Sequence, residues 1–84
     1  MKVFSRPVPT SAANVPTIIG QGADQVGTIG LQAPAANAAT IFFGTKDEQP
    51  FELRPGANAL LPITSGRDLY LYGTSGDKIS IGIF

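Results

Sequence analysis

Glycine or proline interrupts every stretch of this chain long enough to display a helical period, so its apolar residues have to be organised in some other way. Ten glycines and seven prolines stand among 84 residues. The runs between them are short, rich in β-branched and aromatic side chains, and bounded by turn residues. The clearest instance spans residues 68–84. Leu69 and Leu71 alternate with Asp68, Tyr70 and Tyr72, and beyond Gly73 to Asp77 the residues Ile79, Ile81 and Ile83 alternate with Ser80, Gly82 and Phe84. Period two on both arms predicts a hairpin, and its two aliphatic faces need a second sheet to cover them.

The same punctuation continues upstream. Val15 to Ile19 reads as a short β run with Pro16 assigning it to a sheet edge, closed by Gly20 to Asp24. Gly27 to Gln32 alternates with Ile29 and Leu31 on one face, and Ala33 to Ala39 is alanine-rich but broken by Pro34 and Asn37, which makes it a loop. Thr40 to Gly44 and Phe51 to Leu53 are strands joined by the polar segment Thr45 to Pro50. Pro55 and Gly56 are adjacent, as the centre of a type II turn requires. Ala59 to Ile63 is the next strand, ended by Thr64 to Arg67.

Seven to eight short strands at this spacing predict an all-β fold, a small antiparallel β-sandwich or jelly-roll-like barrel, preceded by an extended N-terminal arm. The expected division is an arm at residues 1–14 and a β-sandwich domain at residues 15–84. Shared parity within each strand selects Ile29, Leu31, Ile41, Phe43, Phe51, Leu53, Leu61, Leu69, Leu71, Ile79, Ile81 and Ile83 as the core.

A domain this small buries only roughly 60–65% of the surface of its unfolded chain, and disulfides, metals or oligomerisation commonly make up the deficit. The chain has no cysteine and no histidine. Self-association is therefore the expected support. Charged residues are 14% of the chain, against about 25% in a typical domain, which is consistent with part of the surface being covered by another chain.

Six basic and six acidic side chains cancel, so the electrostatic footprint of a nucleic-acid binder is missing. No apolar run has the length to span a membrane. Catalysis at neutral pH usually recruits histidine, cysteine or an activated lysine, and the first two are lacking. Of the carboxylates Asp24, Asp47, Glu48, Glu52, Asp68 and Asp77, five fall in or beside turns, where aspartate commonly caps a backbone amide. Neither Gly20 to Gly22 nor Gly73 to Gly76 is followed by the helix and lysine of a phosphate loop. No enzyme activity, cofactor or metal is expected.

Two groups of residues are candidates for contact. In residues 1–14 the prolines at 7 and 9 favour an extended segment. It is either a frayed end or a tether on a neighbouring subunit, with Lys2, Phe4, Arg6 and Val8 as its contacts. Tyr70 and Tyr72 share a strand face and suit a subunit interface better than a sugar, since the chain has no tryptophan.

Leu31 to Gly44, an aliphatic strand leading through an asparagine-containing loop into a strand ending in glycine, resembles small bacteriophage virion structural proteins of the capsid decoration, or cement, type. Phe51 to Gly56 is similar to that group's leucine-x-proline-glycine turn, and Asp68 to Asp77 to its aspartate-leucine-tyrosine strand and glycine-containing hairpin. The resemblance covers residues 29–84, and it departs from the group in the brevity of Thr45 to Pro50, where many members carry a longer polar insertion. It implies a non-enzymatic protein on the capsid exterior, made in the bacterial host cytoplasm. Its implied partners are the major capsid protein and further copies of itself, expected as a trimer. A tail or fibre module binding a host-surface glycan or protein is the alternative.

Overall fold

The computed structural model describes residues 2–20, 27–62 and 65–84. It is a two-layer β-sandwich. Strands β1 (Lys2–Pro7), β3 (Ile29–Gln32), β6 (Asn58–Leu61) and β8 (Lys78–Ile83) form one antiparallel sheet in the order β1-β8-β3-β6. The second sheet holds β2 (Ala13–Asn14), β4 (Ile41–Gly44), β5 (Phe51–Leu53) and β7 (Tyr70–Tyr72) in the order β2-β7-β4-β5. Pairing is nested: β1 lies on β8, β2 on β7, β3 on β6 and β4 on β5. The chain is thus one long antiparallel hairpin, with β4 and β5 at its tip, folded over into two layers.

Burial follows the alternation. Ile29, Leu31, Ile41, Leu53, Leu71, Ile79 and Ile81 are fully buried, with Phe43 and Leu69 close behind, while Leu61 and Ile83 pack against this core from its margin. Phe51, expected inside, is 62% exposed. It shares a side with Leu53, but β5 is the outermost strand of its sheet. Its ring meets that of Phe43 across the pair, centroids 5.6 Å apart.

Three further expectations are corrected. The first concerns residues 2–7, which are extended but are not a separate arm: six consecutive residues pair with β8, from Lys2 opposite Ile83 to Pro7 opposite Lys78. Val8, just beyond, is 6% exposed and belongs to the core.

The second concerns Val15–Ile19, which form a short helix, α1, in place of a strand. Its β-branched residues favour a strand only weakly, and local caps override them. The Asn14 side chain accepts hydrogen bonds from the Thr17 backbone N–H (3.1 Å) and hydroxyl (2.6 Å). Pro16 sits in the first turn, where no N–H is needed, and Gly20, at φ 73°, donates to the Pro16 carbonyl to close the far end. Val15 and Ile19, one turn apart, both enter the core. The predicted closure over residues 21–24, like Ile63 and Thr64 at the end of the strand predicted through Ile63, lies outside the described residues.

The third correction concerns residues 68–84. Asp68 lies in a 3-10 turn (Gly66–Asp68), and β7 and β8 do not pair at all: they belong to opposite sheets. The segment 73–77 crosses between layers, held by Gly73 N–H to the Pro9 carbonyl (2.8 Å) and Asp77 N–H to the Thr74 carbonyl (3.1 Å), with Gly76 at φ 93°. A hairpin would have set both aliphatic arms in one layer, each needing a cover from elsewhere. By crossing, Leu71 comes to lie in the layer opposite Ile79 and Ile81, and all three enter one core.

Asp77 anchors this crossover. The residue is 6% exposed, its carboxylate accepts from the backbone N–H groups of Ala38 (2.9 Å) and Ala39 (3.0 Å), and its carbonyl accepts from Val8 N–H (3.0 Å). Asn37 adds a two-bond clamp on the Lys78 backbone, accepting from its N–H (2.9 Å) and donating to its carbonyl (2.7 Å). Capping of backbone amides by a turn aspartate is the role expected of this residue type.

The edges of both sheets resist strand addition. Strand β1 ends in Pro7, and Arg6 turns its guanidinium back onto the Ser5 carbonyl (3.0 Å) and over the Phe4 ring, 5.3 Å from the centroid. Strand β5 lies between Pro50 and Pro55, β6 is followed by Pro62, and β2 is two residues long. Prolines, cations and short edges are the usual protections against edge-to-edge pairing.

Candidate interaction surface

The outward face of the first sheet carries a groove of about 330 Å³, and the strand register explains its shape. Val3 pairs with Gly82, Gly82 with Gly30 and Gly30 with Leu60, so these four residues form one row across all four strands. Large side chains stand at its ends, Val3 65% and Leu60 69% exposed, and the two central positions have no side chain at all. The floor is an aromatic ring: a Cβ on Gly30 would lie 3.3 Å from both Phe84 Cε2 and Leu60 Cδ2, and one on Gly82 would lie 3.6 Å from Phe84 Cζ. The Phe84 ring therefore lies against both glycines while staying 54% exposed.

The next outward row is Ser5, Ser80, Gln32 and Asn58, opposite one another across the same strands. Each of these side chains can both donate and accept a hydrogen bond. No charged residue lines the groove. Of the four large hydrophobic residues that stand exposed among the described ones, Val3, Leu60 and Phe84 converge here, and only Phe51 is elsewhere.

The residues singled out from the sequence are distributed differently. Lys2 is exposed, Phe4 and Arg6 are half-buried and stacked on each other, and Val8 is in the core. A side chain so placed has no surface to offer a neighbouring subunit, which corrects the contact role expected of Val8. Tyr70 and Tyr72 are half-buried on the outward face of the second sheet. Tyr72 stacks on Phe42 with centroids 5.3 Å apart, while Tyr70 borders a polar cavity of about 300 Å³ with Thr45, Lys46, Asp47, Arg67 and Asp68. That cavity brings two of the acidic residues together, but each has a lysine or arginine as its sequence neighbour. Among the described residues no three carboxylates gather as a metal site would need.

Sequence reasoning missed Gly30, Gly82 and Leu60 as surface residues. Two signals pointed to them: a glycine inside a strand commonly marks a close approach, and of two successive leucines in a strand, Leu60 and Leu61, one must face out. No helix of the described residues is long and apolar enough to cross a membrane. No protein-family model matches the chain, and no curated protein is significantly similar to it.

Proposed function

We propose that this chain is a non-enzymatic phage virion structural protein, a capsid cement or decoration protein on the particle exterior that associates with copies of itself and joins major capsid protein subunits. The observation that carries the reading is the nested order of eight strands, β1-β8-β3-β6 over β2-β7-β4-β5. That order supports the jelly-roll form of the sandwich, an architecture recurrent in viral capsid domains. The resemblance of residues 29–84 to small virion proteins points the same way, although a fold by itself does not assign a function. Lys2 and Arg6, on the outermost strand β1, are the side chains through which carboxylates on the capsid would be met, and neither nucleic acid nor a membrane enters the reading.

Jelly rolls also occur as lectin domains, and the half-exposed Phe42–Tyr72 stack favours the second reading, a tail or fibre module that binds a host-surface glycan or protein. A reconstruction of the intact particle decides between them. Density fitting this sandwich at regular positions on the capsid shell is the expected result. Density confined to the tail, or none on the particle, would overturn the cement assignment.

A further inference from the structure

We infer that the outward face of the β1-β8-β3-β6 sheet is a self-complementary docking surface whose occupant is the same face of a second copy of this chain. The inference rests on the self-association in the reading above and is independent of the capsid contact.

Four observations lead to a second copy. The first is electrostatic: no residue lining the groove is charged, and among the outward positions of β8 only Lys78 carries a charge, four residues from Gly82 along the strand. If the two copies are related by a twofold axis parallel to β3 through Gly30, like rows meet, each Leu60 stands over the Gly82 of the other copy, and the two Lys78 side chains lie two strand spacings, roughly 10 Å, apart. That is beyond the screening length at physiological salt, about 8 Å. A surface of one sign would repel its own copy, and this one does not.

The second observation is chemical. The polar row of Ser5, Ser80, Gln32 and Asn58 holds hydroxyls and amides only, and each can donate to and accept from an identical group. Such a row needs no charged group opposite it, and a second copy satisfies it in kind. The third is steric: Val3 and Leu60 stand up at the ends of a row whose middle is two glycines and a flat ring, so each face has both projections and a recess to receive them. Such a face is isologous, the same patch meeting itself about a twofold axis, and it yields a dimer where a trimer is otherwise expected.

The fourth observation is size. Four strands about 4.8 Å apart, β1 and β8 six residues long and β3 and β6 four, give a face of roughly 300 Å² in projection. A standard interface takes about 800 Å² from each partner. The contact is therefore weak and reversible in solution, and it becomes effective where copies are held side by side and the second contact is intramolecular. Because both sheets protect their edges with prolines, a cation or extreme shortness, association falls to a sheet face and not to an edge.

Sedimentation equilibrium of the isolated protein from about 10 µM to about 1 mM, the range suited to an interface of this size, tests the inference. A reversible monomer–dimer equilibrium is expected for the wild type. Leu60→Glu should raise the dimer dissociation constant at least tenfold with an unchanged circular-dichroism spectrum and melting temperature, since Leu60 is 69% exposed and its loss does not touch the core. Phe42→Ser, on the other sheet, should leave dimerisation intact. A wild type that stays monomeric to about 1 mM, or a dimer insensitive to Leu60→Glu, would overturn the proposal. Pelleting of Leu60→Glu with capsids that lack the protein reports the capsid contact separately: retained pelleting with lost dimerisation supports both readings. Lost pelleting with intact dimerisation would place Leu60 against the capsid, and this proposal would fall while the cement reading stood.

Discussion

Replacing Asp77 by alanine should destabilise the fold far more than an aspartate in a turn ordinarily would. The carboxylate is buried and accepts two backbone hydrogen bonds, from Ala38 and Ala39, that tie the loop after β3 to the crossover between sheets. A hydrogen bond to a charged group contributes about 1.5–3 kcal/mol net, so two amount to roughly 3–6. Ala38 is exposed, and water can take over its N–H, which lowers the expected loss to about 2–5 kcal/mol. In a domain of this size 1 kcal/mol moves the melting temperature by about 4–8 °C, so a fall of at least about 8 °C is expected. Urea titration followed by far-ultraviolet circular dichroism measures the free energy directly. Asp77→Asn keeps the shape and one acceptor but turns an amide N–H toward a backbone N–H, and should recover less than half of the loss. A loss below about 0.5 kcal/mol for Asp77→Ala, the range of ordinary surface changes, would refute the idea that this carboxylate latches the two layers.

The same titration serves four other changes. Leu71→Ala and Ile81→Ala, at fully buried positions in opposite sheets of one core, should each cost about 2–5 kcal/mol, and near-neutral effects at both would mean the core is elsewhere. Gly44→Ala should cost about 1–3 kcal/mol, because its Cβ would run into the Glu48 carbonyl and lie 2.8 Å from Gln49 Cα, backbone that cannot swing aside; a crystal structure of the variant with the 45–50 loop unmoved would contradict this. Removing residues 1–9 should lower the urea midpoint sharply, since burial of Val8 alone is worth about 1.5–3 kcal/mol and β8 loses its six-residue partner on one side. A truncated chain with the full-length midpoint would restore the view of this segment as a dispensable arm.

Parity was legible in the sequence wherever a strand had at least two apolar residues in alternation. Ile29 with Leu31, Ile41 with Phe43, and Ile79 with Ile81 all face inward as the alternation predicts. Pairing was not legible, because parity says which face a side chain takes and nothing about which strand lies alongside. The segment around Gly73 to Asp77 has the composition of a hairpin turn, yet a five-residue connection rich in glycine serves equally to cross between layers. What separates the two outcomes is the buried Asp77 and its bonds to Ala38 and Ala39, which lie 39 and 38 residues away. Local caps explain the helix at Val15–Ile19 in the same way: Asn14, Pro16 and Gly20 each carry a recognised helix-end signal, and three weak local preferences together outweighed the β-branched run between them.

The candidate surface was hidden for a related reason. Val3, Gly30, Leu60 and Gly82 are scattered over 80 residues, and individually each has an ordinary reading: an apolar residue near a terminus, two glycines weakening strands, one of a pair of leucines. Only the register sets them in a single row, and only then does the absence of two side chains become a recess with a ring across it. The N-terminal strand matters twice over in this arrangement. By pairing with β8 it supplies Val3, one wall of the groove, and through Val8 it fills the core beneath, so one segment links the surface to the stability of the fold. If β1 detached, the groove would lose a wall and β8 would be left as an exposed edge with no proline to protect it. Association through the face and attachment of β1 are therefore coupled by the geometry, and a second copy docked on the groove would hold β1 in place from outside.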